Sequence, residues 1–332
     1  MNDNSNLGLA SSSLEARIVR YSDLVPCRDA FIDTRSRGSE QKENFTIIGP
    51  GVAENPNQFV HISEPHGFNI GGARQPPKCL NSQHSHETAE VFYVHSGRWR
   101  FMTGESAKDG EVFIGPGDLI TIPTRLFRGF ENIGDSSGFL WAVLGSDDPG
   151  HVLWAPYVFD MAKEYGLVLL EDGTLIDTVK GESVPSGARV MQVTTKEQVG
   201  SLLKVDSAAL ERCVLRKGSE RPPGLFSTVG GVVERLLIGA EPITRTHGFT
   251  VIETTLAGGA TVSGHALDVP DVWFIQHGTV EVSMNGQATL CSDGDTITLP
   301  IGSVRSFRNC GHDDAIVVQV RGGDDLPTPV RL

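Results

Sequence analysis

The sequence predicts an all-β protein made of two double-stranded β-helix (jelly-roll) barrels with a few short helices between them. Three observations lead there. Blocks of the first half recur in the second half at a constant offset, the recurring blocks read as short strands separated by tight turns, and 38 Gly and 18 Pro are spread through 332 residues, which favours turns over long helices.

The repeat comes first because it sets the architecture. His66, Gly67 and Phe68 recur as His247, Gly248 and Phe249, an offset of 181 that also links His84 to His265, Glu90 to Asp271 and Gly97 to Gly278. Further on the offset is 177, linking Gly117 to Gly294, Pro123 to Pro300, Arg128 to Arg305 and Asn132 to Asn309. A loop that differs in length between the halves accounts for the change. Within each unit, residues 90–102 and 272–284 read as two β-rich runs split at Gly97 or Gly278, and residues 117–123 and 294–300 as strands stopped by proline. Strands closed on themselves hide their edges and enclose a ligand-sized cavity.

The remaining chain divides accordingly: residues 1–15 as an arm or disordered start, 16–150 as the N-terminal barrel, 151–187 as connecting helix and linker, 188–325 as the C-terminal barrel, and 326–332 as a tail. Between the barrels, residues 155–166 carry Pro156 at a helix start and Gly166 as its C-cap. Thr194 and Glu197 form a candidate capping box, and Asp206 a candidate cap for the segment that follows.

A net charge of −13 argues against nucleic acid and against an anionic membrane surface as partners. A small molecule, including an anionic one, remains open through a local arginine. The start lacks a basic segment followed by an apolar core, and the five cysteines are scattered without a CxxC pair, so a cytoplasmic location is expected. Serine-hydrolase elbows, phosphate loops and zinc-protease helices have no counterpart.

The informative stretch is His84-Ser85-His86 followed by Glu90. Two histidines at i and i+2 of a strand point to one face, and a carboxylate on the next strand can reach the same cavity. Two neutral nitrogens and one anionic oxygen suit a first-row divalent ion with open positions left for substrate or dioxygen. By strand alternation Phe92 and Val94 face inward, Arg128 and Phe130 share a face, and His95 faces away.

His84-x-His86-x3-Glu90-x6-Gly97 resembles the first cupin motif with every position filled. Gly117-x5-Pro123-x-Arg125-x2-Arg128-x3-Asn132 resembles the second, with Arg125 in place of a glycine and Arg128 in place of the histidine that supplies a further ligand. The two-barrel layout is similar to that of quercetin dioxygenase-like cupins. The resemblance implies one divalent metal in the N-terminal barrel on His84, His86 and Glu90, with Fe(II) foremost and Mn, Ni or Zn as alternatives. It also implies a homodimer, because N-terminal strands are often exchanged in the family. Guanidinium offers no lone pair, so Arg128 cannot ligate. At ~5 Å and an effective dielectric of ~20 it would repel a metal by about 3 kcal/mol per unit of metal charge. Three outcomes stay open: a three-ligand metal with Arg128 turned to an anionic substrate, an Arg128–Glu90 pair that replaces the metal, or Arg128 swung outward with water completing the shell.

In the second barrel the corresponding residues are His265, Leu267, Asp271 and Arg305, a degenerate site that keeps one imidazole. The expectation is a structural barrel, with an organic ligand on Arg305 as the alternative. For the whole chain the leading expectation is a metal-dependent oxidoreductase, a dioxygenase acting on a small aromatic, flavonol-like or diketone substrate held by Arg128, Phe92 and Phe130. The alternatives are a non-catalytic or sensory protein that binds an organic anion without metal, and an oxygen-independent isomerase or decarboxylase.

Overall fold

The computed structural model describes residues 13–219, 225–239 and 246–331, with backbone alone at 225–229 and 331. It contains two barrels, each built from a seven-stranded and a five-stranded sheet. In the first barrel the larger sheet runs, edge to edge, through Val214–Leu215, Leu119–Ile122, Glu90–Ser96, Gly138–Gly145, Phe68–Gln75, Glu43–Ile48 and Val60–Ile62. Its smaller sheet runs through Leu153–Trp154, Leu80–Ser85, Arg128–Asn132, Trp99–Thr103 and Gly110–Ile114. The second barrel repeats the order of the central strands: Thr296–Leu299, Asp271–His277, Ala315–Gly322 and Phe249–Leu256 in one sheet, and Val280–Met284, Arg305–Asn309 and Thr261–Ala266 in the other.

Alternation sorts the strand residues into separate cores. Phe92, Val94, Phe101 and Phe130 fill the first barrel, while Trp273, Ile275, Val282 and Phe307 fill the second. The opposite faces of the two larger sheets, carrying Val91, Tyr93 and Trp141 from one barrel and Val272, Phe274 and Val320 from the other, share a third core. The barrels therefore stack through their larger sheets. The Trp141 and Phe274 rings lie stacked with centroids 4.9 Å apart. His95 faces away from the cavity as expected and packs in this interface, where its ring approaches that of Phe274 and lies 3.1 Å from Gln276 Oε1. A fourth cluster joins the connecting helix, Pro156–Glu164, to Ile32, Phe127 and Trp154 on the flank of the first barrel. Among the described residues no helix is long and apolar enough to cross a membrane.

The turn glycines of the repeat are explained by backbone and space together. Gly97 has φ +87° and Gly278 φ +97°, and an added Cβ would lie 2.7 Å from Gly138 Cα or from Ala315 Cβ.

Several boundaries differ from the expectation. Residues 1–12 lie outside the described residues, but the end of the anticipated arm is ordered: Leu14–Arg17 forms a 3₁₀ turn whose Leu14 is buried in the core of the second barrel. The next two residues, Ile18–Val19, pair with Ile297 and Thr296 of that barrel rather than with the first. Conversely, Val214–Leu215 pairs with Ile120 and Leu119 of the first barrel, and Ser207–Glu211 packs beside its Gly110–Ile114 strand. The two barrels of one chain thus exchange short edge strands with each other. The tail is also structured in part, since Val330–Arg331 pairs with Ala266 and His265. The capping box sits one residue further on than expected, at Thr195 and Gln198. Thr194 is buried instead and donates its hydroxyl to Trp154 O at 2.6 Å. Asp206 caps as anticipated, accepting from Ala209 N at 2.8 Å.

Candidate functional site

His84 and His86 come from the Leu80–Ser85 strand and the residue just beyond it, Glu90 opens the next strand, and Arg128 opens the strand that pairs with His84. All four are buried. His84, His86, Glu90, Phe92 and Phe130 line one cavity of about 70 Å³, together with Asn81, Ala142 and Leu144. The two imidazoles meet edge to face with centroids 5.2 Å apart, and Trp154 flanks His84 at 5.1 Å. Phe92 and Val94 face into the first barrel, as strand alternation predicts, and Phe130 does too.

The electrostatics follow from burial. Both histidines are held well below the ordinary imidazole pKa, first by loss of water and then by the Arg128 charge, so both are neutral near pH 7. His84 Nδ1 lies 2.7 Å from Ser82 O, which can only accept, so that nitrogen carries the proton and Nε2 is left with its lone pair. His86 Nε2 lies 3.6 Å from Glu90 Oε1, and its Nδ1 is buried with no hydrogen-bond partner.

Arg128 is fully engaged. Its Nε donates to Glu90 Oε2 at 3.0 Å, Nη2 donates to the same oxygen, and Nη1 donates to His84 O at 2.8 Å. Burial raises the Glu90 pKa and lowers that of Arg128, and the charge of each partner opposes the shift in the other. Of the three outcomes left open by the sequence, this arrangement is the Arg128–Glu90 pair. Arg128 points to Glu90 and not to a substrate oxyanion. The three-ligand metal centre on His84, His86 and Glu90 is not assembled: among the described residues no three His, Cys, Asp or Glu side chains are placed to hold an ion. The donor set does not fit a metal, because a protein cation sits on the carboxylate that would complete it. A dication there would meet a guanidinium at short range, at the cost estimated above.

Arg125, which stands where the motif has glycine, adopts φ +58°, a left-handed conformation that glycine takes at no cost. Its side chain is exposed and donates to Ser201 O at 3.2 Å, away from the cavity. Two features escape sequence reasoning. Lys42, paired with Asp33 in full burial, donates to the cavity residue Asn81 at 2.9 Å. Trp154 reaches His84 only because Leu153–Trp154 adds an edge strand to the site, pairing with Ser85 and His84.

In the second barrel Leu267 is buried where His86 would be, and Arg305 Nη1 donates to Asp271 Oδ2 at 3.1 Å. Arg305 also donates to Ser303 O and Pro300 O, at 3.1 and 2.7 Å.

Two stacked jelly-roll barrels, with the repeated motif positions on facing strands, form a bicupin fold whose first barrel carries a cupin domain. Residues 73–144 match the cupin domain family. A segment of 83 residues is 36% identical to acireductone dioxygenase 1 of Coprinopsis cinerea, covering 24% of this chain and 44% of that protein, so the chain spans less than half of that relative. Across the whole fold the chain is similar to the oxalate decarboxylase of Lactobacillus farciminis, seen as a formate complex, with TM-score 0.60 and 12% identity over 97% of this chain and 89% of the other. It is also similar to the oxalate decarboxylase of Bacillus subtilis, with TM-score 0.55 and 14% identity over 95% and 78%. A further structure of that Bacillus protein concerns its Mn(II) centres, at TM-score 0.55 and 15% identity over 95% and 79%. At these identities the structural likeness speaks for the fold.

Proposed function

We propose that the chain is a cupin enzyme whose first barrel acts on a small, oxygen-bearing organic molecule by proton transfer at His84 and His86, with Arg128 as the built-in cation where metal-dependent relatives place an ion. The observation that carries this reading is the Arg128–Glu90 pair, which occupies the third donor. The two neutral imidazoles support the chemistry. His84 Nε2 holds a lone pair and His86 Nδ1 is buried without a hydrogen-bond partner, so both rings keep a nitrogen for a bound molecule with hydroxyl or enol groups. Phe92, Phe130, Ala142 and Leu144 exclude water around them. Isomerisation and decarboxylation of a small hydroxy or keto acid fall within this class.

The comparisons favour a second reading, a metal-dependent dioxygenase or decarboxylase in which His84, His86 and Glu90 take Fe(II), Mn(II) or another divalent ion. It requires Glu90 to leave Arg128.

Metal analysis of freshly purified protein separates the two. The first reading expects far less than one ion per chain with or without added Fe(II), Mn(II), Ni(II) or Zn(II), and a gain toward one ion in Arg128→His. Removing one unit of opposing charge there relieves about 3 kcal/mol per unit of metal charge, about two powers of ten in affinity. It also expects His86→Ala to lose deuterium incorporation from D₂O into a panel of small hydroxy and keto acids. Stoichiometric metal in the native chain, lost in His84→Ala and accompanied by oxygen uptake, would establish the second reading instead.

A further inference from the structure

The second barrel carries a charge imbalance that the first lacks. On its last strand the positions that correspond to Leu144 and Ala142 hold Arg321 and Gln319, at the repeat offset of 177. The strand register confirms the match: Leu144 lies opposite Glu90 and Arg321 opposite Asp271, while Ala142 lies opposite Phe92 and Gln319 opposite Trp273. In the first barrel Leu144 and Ala142 line the cavity. In the second, an arginine and an amide take those places.

Arg305, Arg321 and Asp271 are all buried, and His265 stands beside them as a neutral imidazole. Two guanidinium groups therefore face one carboxylate among the described residues. Asp271 is committed through Oδ2, which accepts from Arg305 Nη1 at 3.1 Å and from Trp273 Nε1 at 2.8 Å. Its Oδ1 lies 3.6 Å from Arg321 Nε, beyond a hydrogen bond, and both atoms are buried without a hydrogen-bond partner. Among the described residues Arg321 spends only Nη2, on Gln319 Oε1 at 2.6 Å, and Gln319 is fixed in turn by Thr254 Oγ1 at 2.6 Å. Directly across the sheet from Arg321, Thr250 holds a buried hydroxyl that is also without a partner. Glu253 does not supply the missing charge. It accepts from Tyr93 and Arg235 on the opposite face of the sheet.

We propose that the interior of the second barrel is an anion-binding site in which Arg321, backed by Arg305 and Thr250, takes a small carboxylate. A carboxylate neutralises the surplus guanidinium and offers it two acceptor oxygens in the planar geometry that suits an arginine fork. The Thr250 hydroxyl donates to the same group. Asp271 Oδ1 accepts from a hydroxyl on the neighbouring carbon, so a 2-hydroxy acid binds better than the plain acid. The site is independent of the first barrel and of the activity assigned there.

The full-length chain, titrated with sodium formate, acetate and glycolate at an ionic strength held constant with sodium chloride, tests this by thermal unfolding. The carboxylates raise Tm saturably above the chloride series, with glycolate half-saturating at the lowest concentration. Arg321→Leu, which installs the residue of the first barrel, loses the response. Thr250→Val raises the half-saturating concentration several-fold. His84→Ala leaves the response unchanged. The proposal is overturned if no carboxylate exceeds chloride, if folded Arg321→Leu responds like the native chain, or if His84→Ala abolishes the shift. Should Arg321→Leu fail to fold, an unchanged midpoint in Thr250→Val overturns it.

Discussion

A guanidinium in place of an imidazole changes what its neighbours can do, and Arg128 shows how far that reaches. The pair with Glu90 is buried on both sides, so each partner's charge is tolerable only because the other is present. Glu90→Gln keeps the shape and removes the charge, and it should cost about 3–5 kcal/mol in urea unfolding because Arg128 is left buried and uncompensated. The double replacement Glu90→Leu with Arg128→Met should fall far closer to the native chain, since both charges leave together. A single substitution that costs no more than the double would mean that the pair is solvated in solution. The histidines, the glutamate and their shared cavity were legible in the sequence, because a two-residue alternation and a fixed motif spacing dictate which side chains turn inward. The direction of Arg128 was not. All three of its outcomes share one composition, and a choice among carboxylate, substrate and solvent is made by side-chain rotamers that no spacing encodes. Arg321 left a readable trace, the arginine at offset 177 from Leu144, but it sits outside both motifs and draws attention only once the last strands are aligned.

The long strands and the connecting helix follow from alternation, turn glycines and proline placement, all dense enough to read. Short elements that cross between barrels are different. Ile18–Val19 and Val214–Leu215 are two residues each, too short for any period, and their partners are distant in the chain, Ile297 being 279 positions from Ile18 and Ile120 94 positions from Val214. The sequence TTKEQ contains two overlapping capping patterns, and tertiary structure selects the second because Thr194 is drawn inward to Trp154 O. The N-terminal crossing has a measurable consequence. Leu14 is buried among second-barrel residues, and its N–H donates to Gln287 Oε1 at 2.7 Å. Leu14→Ala should therefore cost about 2–5 kcal/mol and loosen amide exchange in Thr296–Leu299, although the substitution lies near the chain start. Unchanged stability and exchange in that strand would show that the crossing contributes no packing.

At the scale of the molecule the two barrels are related by an approximate two-fold, and the repeat residues outside the motifs mark it. His66 of the first barrel bonds through Nε2 to Thr298 of the second, and His247 of the second bonds through Nε2 to Thr121 of the first. Asp147 and Asp324 likewise accept from the N–H groups of His66 and His247, at 2.9 and 2.8 Å. The His-Gly-Phe repeat is thus an interface device, which explains why it recurs without a role in the cavity. It also makes the interface sensitive to acid. Burial holds the His66 pKa below its ordinary value, and Nδ1, which donates to Glu64 O at 2.7 Å, leaves Nε2 as the acceptor for Thr298. Above the unfolded-state pKa near 6.5 the ring is neutral in both states, and its full contribution is present. As pH falls below that value the unfolded chain takes up the proton first, so stability is lost until the lower folded pKa is reached. Buried Glu54, pushed up to about 8, has the opposite sign, so the overall profile does not isolate His66. The difference between the native chain and His66→Gln does. In urea unfolding at pH 7.5, 6.5 and 5.5 the native advantage over His66→Gln should shrink toward the acid end, and an advantage that stays constant would place the His66 titration outside the stability of the interface.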